Sequence, residues 1–127
     1  QPEVSGWGAE FTMRVGRATE TTAPEWPTRL LARLGELVFE RSTLFTPGTR
    51  LQISDSTDGP IPPAVCWATD PLLAPVDGPN GRFEFFTTIG ISAETLETMR
   101  ATTTADVLAV VAVDNPLLIT GGPGATW

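Results

Sequence analysis

The chain has 127 residues and 41% hydrophobic content, which fits one globular domain with a core of its own. Its formal charge of −7 argues against a phosphate-tracking surface, because nucleic-acid affinity comes mostly from Lys and Arg neutralising phosphates. All 8 cationic residues are Arg, while Lys, His and Tyr are absent and Cys66 is the lone cysteine. This excludes Schiff-base chemistry, imidazole general bases or metal ligands, an internal disulfide and a thiolate zinc cluster.

Residues 9–16 alternate and predict a half-buried strand, with Glu10, Thr12 and Arg14 on one face and Phe11, Met13 and Val15 on the other. Residues 17–25 read as a surface connection. Pro27 suits a first helical turn, and Leu30, Leu31, Leu34, Leu37 and Val38 recur at helical spacing, so an amphipathic helix is expected over Pro27 to Arg41. Gly35 costs that helix about 1 kcal/mol relative to Ala, which predicts close packing on a sheet. Leu51 and Ile53 mark a short strand after the Pro47-Gly48 turn, and Asp55 to Pro63 reads as an exposed loop.

Ala64 to Thr69 reads as a strand buried on both faces around Cys66 and Trp67, ended by Asp70-Pro71. Extended segments and turns follow to Pro79, and Asn80-Gly81 is a tight-turn signal. Phe83, Phe85, Thr87, Ile89 and Ile91 share one side of a long strand. Ser92 is an N-cap with Glu94 in the first turn, and Ile91 and Leu96 are spaced as a hydrophobic staple. Thr104, with Asp106 behind it, opens a helix over Ala105 to Ala112. Within that region Val107 to Val113, bracketed by Asp106 and Asp114, reads as a buried element and falls well short of the ~20 apolar residues of a membrane span. Leu117 to Thr120 reads as a last strand, and Gly121 to Gly124 as the start of a loose tail.

The pattern predicts an α/β fold of the α+β type, a mixed β-sheet with two to three helices packed against it. Residues 1–120 form the expected domain and 121–127 the tail. The start at Gln1 fits a fragment or a processed form.

An ordered set of landmarks runs from Gly6 to Thr120. It comprises Gly8-x-Glu10-x-Thr12-x-Arg14, Trp26-Pro27 opening a Leu-rich helix to Val38-Phe39, then Phe45-x-x-Gly48 and Asp70-Pro71. Pro79-x-Gly81, Ile89-Gly90-Ile91 with Glu94 behind it, and Leu118-Ile119-Thr120 complete the set. In this the chain resembles the suppressor of fused family. That resemblance implies a domain that binds other proteins and is not known as a catalyst. Family domains usually carry further elements upstream of the first landmark, and this chain is expected to lack them. The animal members hold a zinc-finger transcription factor. Two of their partner-contacting positions, a Tyr and an Asp, align with Leu37 and Thr49 here, so that partner does not carry over. Bacterial members resemble immunity proteins of polymorphic toxin systems. The all-Arg composition, with abundant Ala, Gly and Pro, looks like that of a GC-rich bacterium, and a cytoplasmic protein is expected.

Glu10, Thr12 and Arg14 are candidates for a recognition strip, against the plainer reading of a solvated strand face with a Glu–Arg pair. Asp70 is a candidate anchor for a partner's basic group, against a turn-forming role before Pro71. Arg82 is a candidate contact, with Arg17 and Arg100 also near element ends, since Arg and Trp dominate binding hot spots. Trp67 is expected in the core; Trp7 and Trp26 are open between core and surface. Asp55 to Gly59 lacks the ligand alternation of a calcium loop, and Gly121 to Gly124 lacks the sequel of a phosphate loop. Cys66 reads as an inert core thiol. Glu10 and Glu84 are the best carboxylate pair for a hydrolase, a reading that depends on their separation. The leading expectation is a non-enzymatic protein-binding domain, a toxin-neutralising immunity protein being its sharper form. A regulatory or scaffold domain of a larger protein is the alternative. No cofactor, metal, nucleic acid or membrane is expected; the partner is another protein, and a homo-oligomer is allowed.

Overall fold

The computed structural model describes residues 9–16, 25–54, 61–79 and 81–120. Five strands and three helices follow in the order β1 (Ala9–Thr12), α1 (Trp26–Arg41), β2 (Arg50–Gln52), β3 (Ala64–Thr69), β4 (Val76–Gly78), β5 (Gly81–Ile91), α2 (Ala93–Ala101) and α3 (Thr104–Asp114). The strands make one mixed sheet in the order β1-β5-β3-β2, with β4 also paired to β5. β1 runs parallel to β5, and the remaining pairs are antiparallel.

Side chains alternate across a sheet, and both faces of its centre are apolar. On one face Val65, Trp67, Phe86 and Ala9 pack with Leu30, Leu34 and Val38, the stripe of α1 that the 3.6-residue spacing predicts. Phe45 stacks on Trp67 with ring centroids 4.5 Å apart, and Phe11 closes the group at 5.7 Å from Trp67. On the other face Ala64, Cys66, Ile89 and Ile91 pack with Leu96 and Met99 of α2 and with Leu108 of α3. The result is a sheet sandwiched between helices, the α+β architecture expected. β3 is buried on both faces as its sequence predicts, and burial pushes the Cys66 thiol up to about 12, which keeps it an inert thiol.

The caps follow the sequence closely. The Ser92 hydroxyl accepts the Thr95 N–H at 3.1 Å and opens α2, and Ile91 and Leu96 of the staple share one core cluster. The cap of α3 is Thr103, one residue earlier than expected; its hydroxyl accepts the Asp106 N–H at 3.0 Å.

Four expectations are corrected. The Val107 to Val113 segment is not a buried element: α3 lies on the surface of its layer, with Val110 and Val113 73% and 79% exposed. The last strand shrinks to a single parallel bridge between Val15 and Thr120. Leu118 sits at φ 54°, and the Asn115 side chain holds both the N–H and the C=O of Ile119, so no extended run can form. Pro62 and Pro63 are buried, not part of an exposed loop. Gly35 does not mediate close packing, because a Cβ there would meet nothing within 4 Å. The close approach belongs to Gly90, where a Cβ would come within 2.7 Å of Pro62 and of Thr120. The readings of Trp7, Arg17, Asp55 to Gly59, Asn80 and the tail from Gly121 lie outside the described residues.

Candidate functional site

Two of the predicted site residues, Thr12 and Arg14, converge on the carboxylate of a third, Asp70. β5 lies between β1 and β3. Arg14, beyond the end of β1, reaches across it to Asp70 just past the end of β3, with guanidinium–carboxylate distances of 3.0 and 2.9 Å. The Thr12 hydroxyl donates to the same carboxylate at 2.6 Å. The backbone N–H groups of Leu72 and Leu73 donate to its Oδ1 at 2.8 and 3.0 Å. The Asp70 side chain is fully buried and that of Arg14 is 22% exposed. Burial alone would raise the Asp70 pKa. The bonds from Arg14 and Thr12, then from the amides of Leu73 and Leu72, outweigh it and hold the carboxyl well below the usual carboxylate range.

This geometry revises the roles read from the sequence. Arg14 pairs with Asp70, not with Glu10, and both Asp70 oxygens are taken up inside the chain, so they do not present a free anionic anchor. The turn-forming reading of Asp70 holds as well, since it binds the two amides that follow Pro71. Glu10 is exposed and shares its face with Thr12 and Phe85. Arg82 lies opposite Asp77 on β4 and projects to the other face, apart from the strip. Glu84 likewise faces away from Glu10, because Glu10 is in register with Phe85 and successive strand residues point to opposite faces. Two carboxylates on opposite faces of a sheet cannot flank one bond, and the hydrolase reading fails there.

A second feature was not read from the sequence. The edge strand β2 pairs with β3 only as far as Cys66. Gly48 N–H then donates to Trp67 O at 2.9 Å and Trp67 N–H to Thr49 O at 3.1 Å, after which the chain turns away. Gly48 makes that turn at φ 93°, where a side chain would be strained. Beyond it, a groove of about 390 Å³ runs between Ala68 and Thr69 of β3 and Ala105, Leu108 and Ala109 of α3. Its walls are largely apolar. Trp67 also borders the groove, its side chain buried on the α1 face, where its indole N–H has no hydrogen-bond partner among the described residues. Only the sheet order, invisible in the sequence, brings residues 68 and 109 to one groove.

Among the described residues no group of three or more His, Cys, Asp or Glu is placed to hold a metal ion. None of the described helices is long and apolar enough to cross a membrane.

No curated protein matches the chain. Among solved structures, the Sufu-Fu complex crystal structure aligns with a TM-score of 0.82 at 21% identity, covering 96% of this chain and 57% of the other. Drosophila Suppressor of Fused aligns with a TM-score of 0.78, also at 21% identity, covering 91% of this chain and 30% of the other. The chain thus spans about half or less of these solved relatives, and at that identity the likeness speaks for the fold. The family described as Suppressor of fused protein matches residues 1–121, nearly the whole sequence. With its mixed sheet, sandwiching helices and ordered landmarks, the chain belongs to the suppressor of fused family.

Proposed function

We propose that this chain works by docking another protein and catalyses no reaction, and that its partner is a basic toxin that it neutralises in the cytoplasm. The observation that carries the docking role is the apolar groove between the uncovered end of β3 and α3. Strand edges and apolar grooves are the surfaces on which peptide segments of other proteins dock. The Sufu-Fu complex supports the same reading from a structural relative. The toxin partner rests on charge: at −7, the domain attracts a cationic protein and accelerates encounter with it. The all-Arg composition supports a bacterial source.

A scaffold role within a larger protein is the second reading. It is favoured by the exposure of Val110 and Val113 on α3, an apolar surface suited to a neighbouring domain.

The test is co-expression with the proteins encoded beside its gene, followed by size-exclusion chromatography and affinity measurement. One basic neighbour should co-elute, and Ala109→Glu in the groove should release it. Turnover of a small compound by the purified chain, lost when one acidic side chain is neutralised, would overturn the reading.

A further inference from the structure

The groove is not the only surface built for contact. Asp70 N–H donates to Phe85 O at 2.8 Å, and Val76 pairs with Phe83, so β4 continues the line of β3 beside β5. Residues 71–75 leave the sheet between them. This excursion begins on the Asp70 carboxylate, which fixes the amides of Leu72 and Leu73 while Arg14 and Thr12 hold the carboxylate itself. A buried, fully bonded ion thus orders a loop whose leucines are exposed, Leu72 by 63% and Leu73 by 43%, and the strand that follows opens on Val76, 52% exposed. Val76 shares its face with the half-buried Phe83, and Phe85 follows on the same face, beyond the part of the sheet that α2 and α3 cover.

Two hydrogen bonds fix the backbone under two exposed leucines that neither core cluster uses. Contiguous exposed apolar side chains mark interaction sites, and fixing a loop in advance lowers the entropy lost when a partner binds. The charge around this patch sets the partner's sign. Asp70 already neutralises Arg14, Arg82 lies on the opposite face, and Glu10 stands exposed beside Phe85.

We propose that Leu72, Leu73 and Val76, with Phe83 and Phe85 beside them, form a second docking patch. It receives a segment of a partner protein that presents apolar anchors together with an Arg or Lys directed at Glu10. Asp70, Arg14 and Thr12 are positioning residues that hold the patch in its binding shape. The proposal rests on the protein-docking reading above and adds a site distinct from the groove.

A phage-displayed library of random short peptides, selected on the intact chain, tests it. Enriched peptides combine Arg or Lys with large apolar residues. The double variant Leu72→Ser/Leu73→Ser weakens them by about tenfold or more, as loss of anchoring contacts does. Glu10→Arg weakens them less, and Ala109→Glu in the groove leaves them unchanged. Arg14→Gln keeps every patch side chain yet weakens binding and speeds amide exchange at Leu72 and Leu73, which loss of stability elsewhere would not single out. Enriched peptides that ignore the Leu72 and Leu73 changes but respond to Ala109→Glu overturn the patch and leave the docking reading standing. Acidic peptides overturn the assigned partner chemistry, and the absence of any enriched peptide sinks both readings.

Discussion

The two ends of the central sheet are stabilised by different physics. At one end β3 and the C-terminal half of β5 are sealed between α1 and the α2–α3 pair, and burial of Leu34, Trp67, Ile89 and Met99 supplies the stability. At the other end none of the described helices packs Val76 or Phe83 into a core cluster; order there comes from the β4–β5 pairing and from one buried carboxylate with its hydrogen bonds. The sealed end spends most of its apolar side chains on the core, leaving the groove beside α3 and the exposed Val110 and Val113. The polar-locked end leaves Leu72, Leu73 and Val76 exposed, the side chains of the proposed patch.

Substitutions at both ends sharpen that contrast. Leu34→Ala, in the sealed end, removes a side chain with no solvent exposure and should cost about 2–5 kcal/mol in chemical denaturation. Asp70→Ala should cost about 3 kcal/mol, because it strands Arg14 and frees two amides. Its cost depends on pH in a definite way. The folded pKa lies below the unfolded value of about 3.9, so the Asp70 contribution is complete above that value. It is lost as pH falls from the unfolded pKa through the folded one, so the gap between wild type and Asp70→Asn should close only in strong acid. A gap that closes near neutrality would contradict the lock.

Gly90→Ala should cost about 1–3 kcal/mol from collision with Pro62 and Thr120, whereas Gly35→Ala should stabilise by up to ~1 kcal/mol, since its Cβ enters open space. Thermal melts of the two variants moving in the same direction would undo that assignment. The smallest effect on folding belongs to Leu72→Ser/Leu73→Ser, within about 0.5 kcal/mol because both side chains are exposed. A large loss of stability there would mean that the leucines serve the fold and not a partner.

Strong periodicity made most of the fold readable from sequence. The alternation around Glu10 to Arg14 set the faces of β1, the 3.6-residue spacing of Leu30, Leu34 and Val38 set the buried side of α1, and Ser92 announced α2. Helix α3 misled because Val107 to Val113 has no polar side, and composition cannot tell a helix packed on one face from one packed all round. The last strand failed on one backbone angle at Leu118 that nothing in its side chain signals. At the site, sequence identified Thr12, Arg14 and Asp70 separately but not their union, which spans 56 residues between Arg14 and Asp70 and needs the strand order to bring them together. Leu72, Leu73 and Val76 passed unnoticed because isolated aliphatic residues in a Pro-rich connection carry no periodic signal.

Amide hydrogen exchange of the intact chain, alone and with a selected cationic peptide bound, tests the central claim most directly. In the free protein Leu72 and Leu73 should exchange slowly for an exposed loop, and the peptide should add protection at residues 72–76 and 83–85. Exchange at the unstructured rate in the free chain, or new protection confined to the sealed end of the sheet, would contradict the account.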